Sequence, residues 1–237
     1  MTEDEVEWWD YETPKEMAEA VAGDIGFLIG QAIEAHGRAL IAVPGGKTPQ
    51  PILKTLAKQP LDWAKVTVIP TDDRLVPEGH DLSNVAMIAA ALGKTGATIV
   101  PLSDGDDLTD RQAAAKSADA RLAELDWPLD LAWLGIGADG HTASILAGPD
   151  LERALDAPKG RHVVGVLPDP LPKEAPVARL TLTRATLSTA RSLIITFSGA
   201  EKKDVLERAI AEGPLSRHPV GRVLAEFETP IDIHYSV

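Results

Sequence analysis

Short apolar runs, each ending at glycine, proline or charge and each followed by a helical stretch, constrain this chain most. Ala39-Leu40-Ile41-Ala42-Val43, Val66 to Ile69, Leu129 to Ile136 and Leu193 to Phe197 are too short for buried helices and lack the alternation of half-exposed strands. They fit strands covered on both faces, as in a parallel sheet. Between them lie a helix from Thr13 to His36, capped by Thr13-Pro14-Lys15-Glu16 and stopped at Gly37, and helices near Pro51 to Lys58, Asn84 to Leu92, Thr109 to Leu125 and Glu201 to Ala211. Further strands are expected near Ala97 to Val100, His162 to Leu167, Ala178 to Thr183 and Ile231 to Val237, with a proline-rich bend at 168–176. The alternation predicts an α/β fold: a mainly parallel central sheet flanked by helices, Rossmann-like and three-layered, with a small additional β region. With no repeat, low-complexity tract or linker, residues 1–237 are expected to form one domain.

Composition narrows the chemistry. The 23 Lys+Arg against 36 Asp+Glu give −13, which argues against a nucleic-acid partner. The absence of cysteine removes disulfides, thiolate metal sites and a cysteine nucleophile. The opening MTEDEVEWWD is acidic where a secretory signal is basic, and no apolar run approaches membrane-spanning length. A cytoplasmic chain is expected. Asp104 to Asp107 reads as a solvated acidic loop.

In open α/β sheets, ligands sit beyond the carboxyl ends of strands. Three polar segments follow strands here. Gly45-Gly46-Lys47-Thr48 would let backbone approach an anion at a helix start, although a tight turn explains it equally and position 41 is Ile where a Walker A loop needs glycine. Thr71-Asp72-Asp73-Arg74, with Ser83-Asn84 beyond, could orient a polyol, supply a base or form a local ion pair. Gly135-Ile136-Gly137-Ala138-Asp139-Gly140-His141-Thr142-Ala143-Ser144 has dinucleotide-type glycine spacing, but Asp139 would repel a pyrophosphate. Its Asp-Gly-His-Thr run instead suits general-base work by His141 beside a carboxylate.

His36, His80, His162, His218 and His234 lack such a context. A metal reading would join His141 to His80 and Asp81, without the spacing that ligands normally show. Arg179 opens an Arg-Leu-Thr-Leu-Thr strand. Lys202 sits in a first helical turn, where the macrodipole disfavours a cation, so a ligand-facing role competes with simple solvation.

Taken in order, Gly45-Gly46-Lys47-Thr48-Pro49, Asp72-Asp73-Arg74-Leu75-Val76-Pro77 with Ser83-Asn84, Leu134 to Ser144, Arg179 to Thr183 and Gly199-Ala200-Glu201-Lys202 resemble the 6-phosphogluconolactonases, within the superfamily that includes glucosamine-6-phosphate isomerases/deaminases. The resemblance implies hydrolysis of 6-phospho-D-glucono-1,5-lactone to 6-phosphogluconate, with no metal or organic cofactor. It implies His141 as the base, Asp139 orienting it, and Asp72 and Arg74 in the same catalytic set. Arg74 and Lys202 would hold phosphate or polarise substrate. Arg179 and the loop of Gly45, Gly46, Lys47 and Thr48 would add phosphate contacts. The partner is a phosphorylated sugar lactone, and a monomer or weak homo-oligomer is expected. Two stretches depart from the pattern: Ile145-Leu146-Ala147-Gly148 where Leu-Phe-Pro-Gly is usual, and Asp73 where Glu is common. A deaminase of the same fold is the nearest alternative, disfavoured by Arg74 in place of an aromatic residue. A non-catalytic sugar-phosphate effector domain is the other, disfavoured by the lack of a basic recognition helix.

These assignments carry a geometric expectation. An acidic chain that binds a dianion must gather cations locally. At least three of Lys47, Arg74, Arg179 and Lys202 should therefore face one cleft containing His141.

Overall fold

The computed structural model describes residues 6–103, 105 and 108–237. Asp104, Asp106 and Asp107 of the expected acidic loop, and residues 1–5 of the acidic opening segment, lie outside the described residues.

The strands are β1 (Val6–Tyr11), β2 (Ala39–Val43), β3 (Val66–Pro70), β4 (Asp72–Arg74), β5 (Thr98–Ile99), β6 (Leu131–Gly135), β7 (Val163–Val166), β8 (Arg179–Leu182), β9 (Leu193–Ser198) and β10 (Ile231–Ser236). The helices are α1 (Pro14–His36), α2 (Pro49–Leu56), α3 (Asn84–Leu92), α4 (Arg111–Ala123), α5 (Leu151–Leu155), α6 (Arg184–Leu187), α7 (Ala200–Glu212) and α8 (Pro219–Leu224). Among the described residues, seven strands form one sheet in the order β1-β10-β9-β6-β2-β3-β5, every pair parallel. A smaller antiparallel sheet runs β4-β8-β7.

The apolar runs behave as their composition demands. All five residues of β2 are buried. Leu40 and Ala42 face a core shared with α4, α7 and α8, while Ile41 and Val43 face a second core built on α1, α2 and α3. Burial on both faces makes the central strands continuously apolar. α1 begins as its sequence dictates: Thr13 Oγ1 accepts from the Glu16 amide at 3.2 Å, and Gly37 closes the helix at φ 76°.

Three local expectations need correction. The acidic opening segment contains β1, an edge strand hydrogen-bonded to β10. Its exposed Glu7 and Asp10 hide the strand signal, and such charges are what open edges carry. The Asp72-Asp73-Arg74 run is not a loop but the short strand β4, placing Asp72 opposite Thr181 and Arg74 opposite Arg179. Helix α2 also starts two residues earlier than expected, with Pro49 and Pro51 in its first turn, where proline's missing N–H costs nothing.

This topology fixes where a ligand can sit. From β2 the chain builds outward through β3 to β5, and from β6 it builds the other way through β9 to β10. β2 and β6 are neighbours, so the order reverses between them and a crevice opens at their carboxyl ends.

Candidate active site

A cleft of about 230 Å³ occupies that crevice. Lys47, Arg74, Arg179 and Lys202 all line it, together with His141, Asp72, Asn84, Gly45, Gly46 and Gly137. Four of the chain's 23 basic residues thus converge on one face of an acidic molecule.

After β2, Gly46 takes φ 98°, which favours glycine. Gly45 is needed for space: a Cβ there would overlap the Asn84 amide. Lys47 is exposed at the rim, and Thr48 lines the cleft without a side-chain cap on α2.

The adjacent carboxylates of β4 point different ways. Asp73 turns into the scaffold. It accepts from the amides of Arg74 at 2.8 Å, Asn84 at 2.6 Å and Val85 at 3.2 Å, and from Ser83 Oγ at 3.0 Å, so it anchors the start of α3. Burial pushes its carboxyl pKa up, and those backbone donors pull against the shift. Asp72 turns to the cleft, where its Oδ2 accepts from Ser144 Oγ at 2.5 Å. Asn84 joins these pieces, donating Nδ2 to the Asp72 carbonyl at 2.7 Å and accepting from Arg74 Nη1 at 2.7 Å. Arg74 Nη1 also donates to the Leu82 carbonyl at 3.0 Å.

Arg179, on β8, is buried with 5% exposure and donates to Ser144 Oγ at 3.4 Å. Burial lowers its pKa, with Asp72 opposing and Arg74 reinforcing the shift. The Nε–H groups of Arg74 and Arg179 are buried without a protein partner, so both guanidiniums keep donor capacity beside the cleft. Lys202 lies in the first turn of α7, after Gly199 at φ 99°. Burial lowers its pKa, opposed by Asp139 and Glu201.

After β6, His141 Nδ1 lies 2.5 Å from Asp139 Oδ1, and the His141 amide donates to the same oxygen at 3.2 Å. The hydrogen bond from His141 holds the Asp139 carboxyl at about 2. Gly137 is required beneath this pair, since a Cβ there would overlap the imidazole and the carboxylate. Thr142 Oγ1 ties the loop back to the Gly135 carbonyl at 2.9 Å, and Ala143 takes φ 48°, an uncommon conformation for a residue with a Cβ.

The chain matches the family model described as glucosamine-6-phosphate isomerases/6-phosphogluconolactonase over residues 12–231. The chain belongs to that family. It is 39% identical to a 6-phosphogluconolactonase of Rhizobium meliloti over 95% of this chain and 97% of that one. It is 37% identical to one of Pseudomonas putida over 93% and 89%. Among solved structures, a 6-phosphogluconolactonase of Shewanella baltica superposes with TM-score 0.88 at 27% identity, covering 98% of both chains. One of Trypanosoma brucei superposes with TM-score 0.83 at 26% identity, covering 97% and 95%. The chain is accordingly an ester hydrolase of the lactonase kind.

Within this family site, three contributors were not assigned from sequence. Asn84 and Ser144 were visible only as neighbours of the acidic and histidine runs, and their bridging depends on β4 meeting α3 and β8. His218, set aside for lack of context, lies 3.3 Å by its Nδ1 from the Asp139 carbonyl oxygen, across 79 residues of sequence. His80, weighed as a metal ligand, accepts from the Leu82 amide at 3.0 Å within its own turn. Among the described residues no group of three His, Cys, Asp or Glu side chains is placed to hold a metal ion, and no helix is long and apolar enough to cross a membrane.

Proposed function

We propose that this chain, acting as one domain in the cytoplasm, hydrolyses 6-phospho-D-glucono-1,5-lactone to 6-phosphogluconate in the pentose phosphate pathway. The observation that carries the reading is the convergence of four cations and the His141–Asp139 pair on one cleft.

With Nδ1–H engaged by Asp139, His141 is left with Nε2 as its basic nitrogen. That nitrogen takes a proton from water, and the resulting hydroxide adds to the lactone carbonyl. Negative charge develops on the carbonyl oxygen, where fixed cations stabilise it. The ester C–O bond then breaks, and the imidazolium returns its proton to the departing ring oxygen. A lactone is already an activated ester, so a positioned water, a base and a cationic cradle suffice. Arg74, Arg179 and Lys202, with Lys47 and the glycine loop at the rim, supply charge for the phosphate and the oxyanion. Asp72 holds Arg179 in place through Ser144.

The test is a coupled assay in which glucose-6-phosphate dehydrogenase generates the lactone and its disappearance is followed. Acceleration over spontaneous hydrolysis is expected. Ammonia release from glucosamine 6-phosphate without lactone turnover would replace this reading with a deaminase, and binding without acceleration would replace it with a sensor.

A further inference from the structure

The turn carrying Asp139 and His141 is gripped from outside the cleft by the start of α8. The Asp139 carbonyl faces His218 Nδ1 at 3.3 Å, and the next carbonyl, of Gly140, accepts from the Val220 amide at 2.9 Å. Two consecutive carbonyls on the backbone between the pair are therefore held by one short segment. Gly140 suits that grip twice: its φ of 80° favours glycine, and a Cβ would overlap the His218 side chain.

The segment is itself braced. Ser216 Oγ donates to Glu212 Oε2 at 2.7 Å and accepts from the His218 amide at 3.1 Å, while the Arg217 amide donates to the same Glu212 oxygen at 3.3 Å. Arg217 Nε–H donates to His218 Nε2 at 3.3 Å. A guanidinium has no acceptor, so Nε2 must be unprotonated and the ring proton must sit on Nδ1, where it points at the Asp139 carbonyl. Arg217 thus selects the tautomer in which His218 is a donor to the turn.

We propose that His218 is a positioning residue for the hydrolysis assigned above. It clamps the 139–140 backbone from the outer side so that Asp139 presents Oδ1 to His141 Nδ1, and it touches no reacting atom. The inference rests on the lactonase reading, because it assigns a consequence for turnover. A displacement of a catalytic group by about an ångström is enough to cost up to roughly 100-fold in rate.

His218→Leu removes the donor and His218→Asn restores one, since the Asn amide nitrogen occupies the place of Nδ1. His218→Leu is expected to lower kcat roughly 10-fold or more, to leave KM within about 2-fold, and to move the acid limb of the kcat–pH profile; His218→Asn should recover most of the rate. Thermal unfolding of both variants separates loss of the clamp from loss of the fold. Independently of activity, ¹⁵N NMR of the histidine rings should show His218 as the Nδ1–H tautomer and a changed His141 signal in His218→Leu. Wild-type kcat and pH profile in a folded His218→Leu, or an Nε2–H tautomer at His218, would overturn the proposal. If His218→Leu does not fold, failure of folded His218→Asn to keep the rate, or the tautomer alone, decides against it. A wild-type chain with the Nδ1–H tautomer but no lactone turnover would instead sink the functional reading.

Discussion

Asp139 Oδ1 and His141 Nδ1 stand 2.5 Å apart, two residues apart in one turn, and this contact decides which imidazole nitrogen is left free as a base. The carboxylate accepts the Nδ1 proton, so the basic lone pair is on Nε2. His141→Ala should lower kcat at least roughly 10²-fold with an unchanged circular dichroism spectrum, the usual loss for a general base. Asp139→Asn should lose rate on a similar scale while keeping KM, because an amide can hold the ring in the wrong tautomer. Near-wild-type turnover in His141→Ala, measured against spontaneous hydrolysis, would remove the base assignment.

Gly45 and Asn84 make a paired prediction. A Cβ at 45 would push into the Asn84 amide, which holds Arg74 by a 2.7 Å hydrogen bond. Gly45 has no left-handed φ, so Gly45→Ala acts through that collision alone. Each of Gly45→Ala and Asn84→Ala should lower kcat/KM roughly 10-fold by releasing Arg74. Truncating Asn84 also makes room for the new methyl, so the double variant should be no worse than Asn84→Ala. Additive losses would show that the two residues act independently.

The same residues show what the sequence makes legible. The central strands were readable because burial on both faces makes them continuously apolar, and α1 because its cap and its stop are local signals. The motifs bearing Asp72, Arg74, Asp139, His141 and Lys202 were readable because turns and strand ends concentrate special residues. What could not be read is tertiary. The opposite aims of Asp72 and Asp73 follow from β4 pairing with β8, and Asn84 becomes a bridge only when α3 packs against that strand. His218 reaches the Asp139–His141 turn from the residue just before α8, and no local pattern announces that contact. β1 was hidden because an edge strand carries charges that imitate a polar tail.

Arg179 and Lys202 should separate phosphate binding from chemistry. Both line the cleft that holds His141, and burial weakens the hold of each on its proton, a cost that a bound anion would offset. Arg179→Ala and Lys202→Ala should raise KM for the 6-phosphorylated lactone several-fold more than for unphosphorylated gluconolactone. Raised salt should weaken the wild-type preference in the same direction. Equal loss on both substrates would move that residue from phosphate binding to polarisation of the lactone.

His234 gives a stability prediction remote from the cleft. It is 1% exposed on β10, accepts or donates through Nδ1 to the Tyr11 hydroxyl at 2.9 Å, and has its Nε2 3.9 Å from Asp24 Oδ2. Burial pushes its pKa from 6.5 down to about 4. Between those values the unfolded chain binds a proton that the folded chain refuses, so stability rises with pH across this window. The contribution is complete above pH 6.5 and is lost as pH falls towards 4, about 3 kcal/mol in all. Asp24 and Asp232 oppose it: burial raises both carboxyl pKa values, so each favours the folded state as pH falls through its raised value. The His234 share is therefore read as a difference. Urea unfolding of wild type and His234→Asn at several pH values between 7 and 4 should give a shallower loss of stability in the variant. Parallel curves would mean that His234 binds its proton equally well in the folded and unfolded chain, against the depressed value.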